Sequence, residues 1–437
     1  MWPYHPDLLA VPVPRYTSYP TAAEFGELAP EQTIAAIESA DGDISLYVHI
    51  PFCEKICHYC GCNTAAAGKR QRMDAYMVAL HHEIETVASL LPKTARVRRV
   101  SFGGGSPNAI DPIDFVRLMD HLTVHFHLAD PILSIELDPR TMTDAWAGVI
   151  SAIGFERASL GVQTFATHCQ EAIGRVQSED LIVRTVDWLR DAGVESLNFD
   201  LMYGLPGQNT DDLIDSMHRT RVLGADRVAV FGYAHVPHIV KRQSVIDAAA
   251  LPGPRERFAM AQLAFSYFCT HGYAPVGFDH FAMPGRDPLA RAALSGTLRR
   301  NFQGFTDDQA PVLIGLGSSA ISCFPGLLSQ NEKNAGRYRV LTGEGRLPIE
   351  RGICRTAEDQ IRGTLIEDVL CKGEAVIPPT LLAEAKAMIA PFSCRGLADI
   401  TGDRLQITPD GLPYARTIAA QFDPWRKQSA RRFSSAI

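Results

Sequence analysis

The chain has 437 residues, of which 46% are hydrophobic and 21% charged, with ordinary glycine and proline. That excludes a disordered chain and supplies one large core, or a core with a smaller companion. A formal net charge of −7 argues against a general polyanion binder, so no nucleic-acid partner is expected; a local basic pocket stays compatible with it.

The start, MWPYHPDLLAVPVPRYTSYP, lacks a basic region followed by an apolar stretch. No apolar run reaches membrane length, so a cytoplasmic protein without a membrane partner is expected. Residues 1–40 read as irregular, broken by Pro12, Pro14 and Pro20. Ile44–Ile50 (ISLYVHI) reads as a strand. Met73–Leu91 has helical apolar spacing at Tyr76, Val78, Leu80, Ile84 and Val87. Val97–Phe102 is a strand followed by GGGSP, and Phe115–Phe126 is helical. Leu133–Leu137 and Ala158–Val162 are strands, and Leu181–Ala192 is a helix stopped by Gly193. Ser196–Tyr203 reads as a strand, Leu213–Leu223 as a helix and Arg227–Tyr233 as a strand. Roughly six strand–helix alternations predict a parallel α/β sheet or barrel, with chemistry on the loops at the carboxyl ends of the strands. Beyond residue 290 the pattern weakens. Residues 360–437 read as mainly helical, with a turn at Thr401-Gly402-Asp403 and a basic end at Arg426, Lys427, Arg431 and Arg432. There is no internal repeat.

The informative residues sit at the predicted strand ends. Cysteines follow ISLYVHI, glycines follow RVRRVSF, Glu136 ends LSIEL, Gln163 follows ASLGV and Asp200 lies late in LNFDLMYG. One such residue means little; five in succession on one face of the fold suggest a single site. Four of the 10 cysteines are packed between Cys53 and Cys62. In a reducing compartment this reads as metal binding, and the scattered six as buried or inert thiols. Cys53, Cys57 and Cys60, spaced C-x3-C-x2-C, can reach three corners of a [4Fe-4S] cubane and leave the fourth iron open, whereas electron-transfer ferredoxins use four cysteines. S-adenosylmethionine (SAM) can chelate that iron through its amino and carboxylate groups. A structural zinc site is the bland reading, but C-x3-C is an unusual zinc spacing and no second Cys/His pair lies downstream in register. Cys62 is poorly placed as a fourth ligand and reads as a nearby free thiol. His49 and His58 read as packed or loop histidines. Tyr59 suits either an adenine cover or simple packing. Gly103-Gly104-Gly105-Ser106-Pro107 suits either a tight turn or close backbone approach, with amides free for the amino acid end of SAM. It is not G-x-G-x-x-G.

On PRYTSYPTAAEF (14–25), LYVHIPFCEKICHYCGCN (46–63), GGGSP (103–107), SIELDPR (134–140), LGVQTF (160–165), NFDLMYGLPGQ (198–208), FGYAHVP (231–237), GFDHFA (277–282), RNFQGFT (300–306) and GLGSSAIS (315–322), the chain resembles radical SAM enzymes. Within them it resembles the oxygen-independent coproporphyrinogen III oxidases (dehydrogenases). The resemblance implies a partial (β/α)6 barrel over 41–290, an N-terminal segment (1–40) over the active site, a barrel-completing, substrate-contacting segment (291–360) and a small helical domain (361–437). It implies two SAM molecules. The first would contact Tyr47, Gly104, Glu136, Gln163, Arg175 and Asp200; the second Tyr59, Gly105, Ser106, Ala234 and Ile321. A carboxylate such as Glu136 suits the SAM ammonium. Tyr47, Glu136, Gln303 and Arg15 would serve the reaction, with Arg15, Arg299 and Arg300 as candidates for the substrate carboxylates. The implied substrate is coproporphyrinogen III. An adenosyl radical takes a hydrogen from the β-carbon of a propionate, which loses CO2 and one electron to leave a vinyl group. Two of four propionates react, giving protoporphyrinogen IX in heme and porphyrin biosynthesis. A small electron donor such as a flavodoxin or ferredoxin and a monomeric state are expected. Ser106, Phe102 and Met283 stand where the family often has threonine, tryptophan and arginine. The rival readings are a heme chaperone, a heme-degrading methyltransferase and a non-catalytic metal module. PRYTSYP and CGC argue against the first two, and the residues at the strand ends against the third.

Overall fold

The computed structural model describes residues 1–68 and 70–428. Six parallel strands form its centre: β1 (Asp43–Ile50), β2 (Arg96–Gly104), β3 (Leu128–Leu137), β4 (Arg157–Gln163), β5 (Ser196–Tyr203) and β6 (Arg227–Gly232). They lie side by side in chain order. Sequential order without a switch point is the winding of a (β/α) barrel, not of a doubly wound sheet. It stays partial because both edges continue into other strands. Val312–Leu316 adds parallel to β1, followed by three antiparallel strands out to Ile349–Cys354; on the other side, His280–Ala282 pairs antiparallel with β6.

Local chemistry explains the elements. β1 is buried along seven of its eight residues, as a parallel strand covered on both faces must be. The helix Arg70–Leu90 buries Tyr76, Leu80, Ile84 and Val87. Val78, expected on that face, instead points outward, and Met73 and Met77 complete the stripe. Asp111, Ser178 and Asn209 cap the helices Pro112–His125, Glu179–Asp191 and Thr210–Val222 with side-chain oxygens.

Several expectations are corrected. Residues 1–40 are not wholly irregular: Pro6–Leu9 and Pro30–Glu38 are helical, each with proline in its first turn, where the missing N–H is harmless. β3 begins five residues before Leu133, through Asp130 at φ 52°. A register shift against β2 falls there. The short helix Asp144–Ile153 escaped the sequence reading because it buries only Trp146 and Ile150. The C-terminal region keeps its helices but adds a three-stranded sheet. Its hairpin turns at Gly402, where the turn was expected. Among the scattered cysteines, Cys169 and Cys371 are buried, whereas Cys354 and Cys394 are exposed. Arg431 and Arg432 lie outside the described residues.

Glu83 anchors the loop after Val312–Leu316. It accepts from the Gly317 N–H at 2.7 Å, the Asn331 amide at 2.6 Å and the Tyr338 hydroxyl at 2.5 Å. Burial pushes its carboxyl up to about 7 despite these donors. Glu83→Ala would strand three buried donors, so a loss of about 3 kcal/mol or more is expected in equilibrium denaturation.

Candidate functional site

The strand ends converge on one cleft of roughly 460 Å³. It is lined by Cys53, Cys57, Cys60, Cys62, Tyr59, Gly104, Gly105, Glu136, Gln163, Arg175, Asp200 and Ala234, with Arg15 at its side. Residues from the loop after β1 and the ends of five further strands therefore meet as the barrel topology requires.

The cysteine loop is held from several directions. Ala65 and Ala67 donate backbone hydrogen bonds to Pro51 and Cys53, folding the loop back on itself. The Cys57 sulfur faces two guanidiniums, Arg140 Nη2 at 3.3 Å and Arg175 Nη1 at 3.4 Å. Both arginines bind Asp138, Arg140 at 2.7 Å and Arg175 at 3.2 Å. Burial opposes ionisation of Asp138, but Arg175 and Arg140 hold it below the usual carboxylate range. Asn108 brackets Asp138 through its backbone, and the Ser106 hydroxyl donates to Asn108 Oδ1 at 2.6 Å. Gln243 Nε2 donates to the carbonyls of Tyr59 (2.8 Å) and Ala234 (3.0 Å), tying the cysteine loop to the end of β6.

Three thiols on one cleft wall, close to fixed positive charge, fit a cluster that keeps thiolates. Cys62 behaves differently. Its backbone N–H donates to the Cys60 sulfur at 3.4 Å. With its side chain it draws the Cys60 thiol down to about 6, while Cys62 itself is pushed up.

Opposite the cysteines, Glu136 is raised to about 7 by burial and then by the neighbouring Asp200. Gly104 N–H donates to it at 3.3 Å. Asp200 accepts from Asn198 at 2.9 Å and Ser159 at 3.2 Å. Burial raises it too. Two neighbouring carboxyls that ionise reluctantly are stabilised by a cation placed between them.

The glycines serve packing. A Cβ on Gly104, at φ 111°, would lie 2.5 Å from the His49 ring, and one on Gly105 would lie 2.5 Å from the Phe52 carbonyl. The amides of Gly105 and Ser106 donate to Ile50 and Phe52 carbonyls, so they are not free for a ligand as expected. His49 is a packed histidine: its Nε2 meets the Asn63 carbonyl at 3.2 Å and so carries the proton, which makes Nδ1 the acceptor of the Tyr47 hydroxyl at 3.1 Å.

Other expected residues lie elsewhere. Tyr47 packs edge-on against Phe302 and does not line the cleft. Gln303 lines a second cavity of roughly 320 Å³ inside the barrel, which shares Glu136, Ser159, Asp200 and Phe231 with the cleft. Ile321 lines a separate cavity beside Arg299 and Arg300. Arg299 pairs with Glu367 at 2.8 Å. Arg300 donates to the Arg15 and Tyr16 carbonyls and lies over the Phe305 ring. Of the three expected arginines, only Arg15 reaches the cleft; it donates to Gly232 O at 3.1 Å. Arg175 reaches the cleft but is engaged with Asp138, Cys57 and Gly161. Met283 packs against the core. Asp138, Arg140 and Gln243 were missed; only the DPR following the third strand hinted at the first two.

The profile of the radical SAM superfamily matches residues 47–220, which span the cysteines and the first five strands. A chain of this architecture, with three cysteines and a carboxylate pair at the strand ends, is a radical SAM protein that uses a [4Fe-4S] cluster and SAM. The oxygen-independent coproporphyrinogen III oxidase of Paracoccus denitrificans is 40% identical over 97% of this chain and 96% of its own. The enzyme of the same name from Escherichia coli K12 is 37% identical, over 97% and 96%. The solved structure of the E. coli coproporphyrinogen III oxidase, described as a radical SAM enzyme, superposes with a TM-score of 0.90 at 34% identity, covering 97% of this chain and 99% of that one. The chain belongs to the family of oxygen-independent coproporphyrinogen III oxidases.

Proposed function

We propose that the protein converts coproporphyrinogen III to protoporphyrinogen IX without oxygen, by oxidative decarboxylation of two propionates in heme biosynthesis. The observation that carries this is full-length identity to enzymes of that name, joined to a cleft that gathers the three cysteines and the Glu136–Asp200 pair. With cluster and SAM bound, the site supplies a 5'-deoxyadenosyl radical that takes a hydrogen from the propionate β-carbon.

The chain's own residues do the rest. Cys53, Cys57 and Cys60 hold the cluster. Arg140 and Arg175 fix Cys57, and Glu136 with Asp200 takes the SAM ammonium. Gly104 positions Glu136, and Gln163, at φ 69°, offers its amide to the cofactor. Tyr59 and Ala234, joined through Gln243, suit a second SAM, for which Gly105 leaves room. The lining of the cleft gives no such support to Tyr47, Ser106 or Ile321. Gln303 faces the interior cavity, where it can meet substrate. Arg15 meets a propionate at the cleft side.

Residues 1–40 cover this side of the site. Tyr16 donates to Asp423 at 2.9 Å and Arg416 to the Val13 carbonyl at 2.9 Å, clamping the segment to the C-terminal domain of 361–437. Residues 41–290 form the barrel and 291–360 complete it. No described helix is long and apolar enough to cross a membrane. A cytoplasmic monomer reduced by a small flavodoxin or ferredoxin fits this reading.

The test is an anaerobic assay of reconstituted protein with coproporphyrinogen III, SAM and a reductant, followed by chromatography of the products and SAM binding on the same sample. Protoporphyrinogen IX and two SAM per chain are expected; absence of vinyl product would refute the function. A pH series adds a sharper expectation. Glu136 must be ionised to bind an ammonium, and its carboxyl is raised to about 7. SAM affinity should hold above pH 7 and fall by up to about tenfold per unit below it. Glu136→Gln should flatten that profile at the weaker level.

A further inference from the structure

Beside the cluster cleft lies a cavity of roughly 60 Å³ that the sequence did not announce. It shares Arg15, Gly232 and Ala234 with the cleft, so the two adjoin. Three guanidiniums line it from three parts of the chain. Arg15 comes from the N-terminal segment, Arg257 from the helix Pro254–Thr270 and Arg416 from the C-terminal domain. Asp279 is the only carboxylate among its lining residues, and it already faces His280 Nδ1 at 2.7 Å. Among the lining residues, three guanidiniums thus stand around one carboxylate.

Such a cluster is costly without an anion, because like charges repel where water is scarce. The arginines bear this out. Burial and then Arg15 draw Arg416 down to about 10, and burial lowers Arg257. Arg257 gives one Nη2 hydrogen to the Tyr233 carbonyl, while its buried Nε has no partner among the described residues. The remaining wall is apolar, from Trp2, Phe258 and Phe281. A ligand that suits both halves has a short methylene stem and a carboxylate head.

We infer that this side cavity is a carboxylate subsite that holds a propionate of the tetrapyrrole other than the one reacting at the cluster, with Arg257 as its specificity-determining residue. The inference rests on the function proposed above. The substrate has four propionates and one reacts at a time, so charge compensation is needed away from the reacting centre. The shared wall at Gly232–Ala234 puts the cavity one side chain away from the cleft. Because the second reacting propionate differs from the first, a different carboxylate occupies the cavity in each round.

The test uses SAM-loaded holoenzyme. Arg257→Met should raise KM for coproporphyrinogen III by about tenfold or more, with a much smaller change in kcat. Fluorescence titration with coproporphyrin III, which needs no turnover, should weaken in parallel. Arg257→Lys, which keeps the charge but not the fork, should fall between, and it serves if the methionine variant does not fold. An unchanged KM in either folded variant, or a fall in kcat alone, overturns the subsite. If wild-type protein makes no vinyl product yet binds coproporphyrin III in an Arg257-dependent way, the function fails while the subsite stands.

Discussion

Alanine at Cys53, Cys57 or Cys60 is expected to remove the cluster and all turnover, whereas Cys62→Ala should keep both. Anaerobic reconstitution of wild-type protein should give about four irons per chain, and each of the first three variants close to none. The structure sharpens the contrast between the four thiols. All four line the cleft, so proximity alone does not decide which of them ligate. Cys62, however, already has a role as the donor to Cys60, and it follows that residue by two positions with its own backbone N–H turned to the same sulfur. A loop so tight leaves Cys62 supporting a ligand instead of acting as one. Cys62→Ala removes the side-chain donor but not the backbone one, so a modest loss of cluster stability toward a chelator is compatible with it. Complete loss of iron in Cys62→Ala would show a fourth cysteine ligand and would remove the open iron on which SAM chelation depends.

The barrel was legible because its signals are local. ISLYVHI is a strand buried on both faces, and its apolar run needs no partner to be recognised. SLNFDLMY announces β5 residue for residue. A polar residue at or late in each run faces the cleft, which is why Glu136, Gln163 and Asp200 line it together. What escaped depends on contacts distant in sequence. Nothing near Arg257 or Arg416 shows that they meet Arg15, since that requires the N-terminal segment to lie against the C-terminal domain through Tyr16–Asp423 and His5–Tyr414. Ile321 and Ser106 illustrate the converse. Motif position placed both at the cofactor, but Ser106 donates its hydroxyl to Asn108, and Ile321 faces a different cavity. A motif fixes which backbone is present; the direction of each side chain is settled by neighbours that the motif does not contain.

Asp138→Asn is expected to have the second-largest effect, although Asp138 touches no cysteine in the structure. Its carboxylate receives Arg140 through Nε and Nη2, and Arg175 through both Nη atoms. Asp138 and Arg175 are both buried. Both arginines then present their remaining hydrogens to Cys57. Gly161 is part of the same device: a Cβ there would come within 2.9 Å of Arg175 Nη2, so only glycine lets the guanidinium reach its carbonyl. Asparagine has nearly the same shape, but it removes the charge that the buried Arg175 and the half-buried Arg140 share, and breaking a buried pair from one side typically costs about 3–5 kcal/mol. The arginines would then be left to Cys57 and to carbonyls, free to turn toward any anion in the cleft. The expected result is a lower unfolding midpoint together with faster loss of iron to a chelator, in protein that still assembles some cluster. Arg175→Lys separates two roles for that arginine. If it acts by orienting Cys57, it should speed iron loss as Asp138→Asn does, with SAM affinity following the cluster content. If instead its main contact is with SAM, Arg175→Lys should weaken SAM binding at full iron content while Asp138→Asn leaves iron retention unchanged, and the positioning role would be withdrawn.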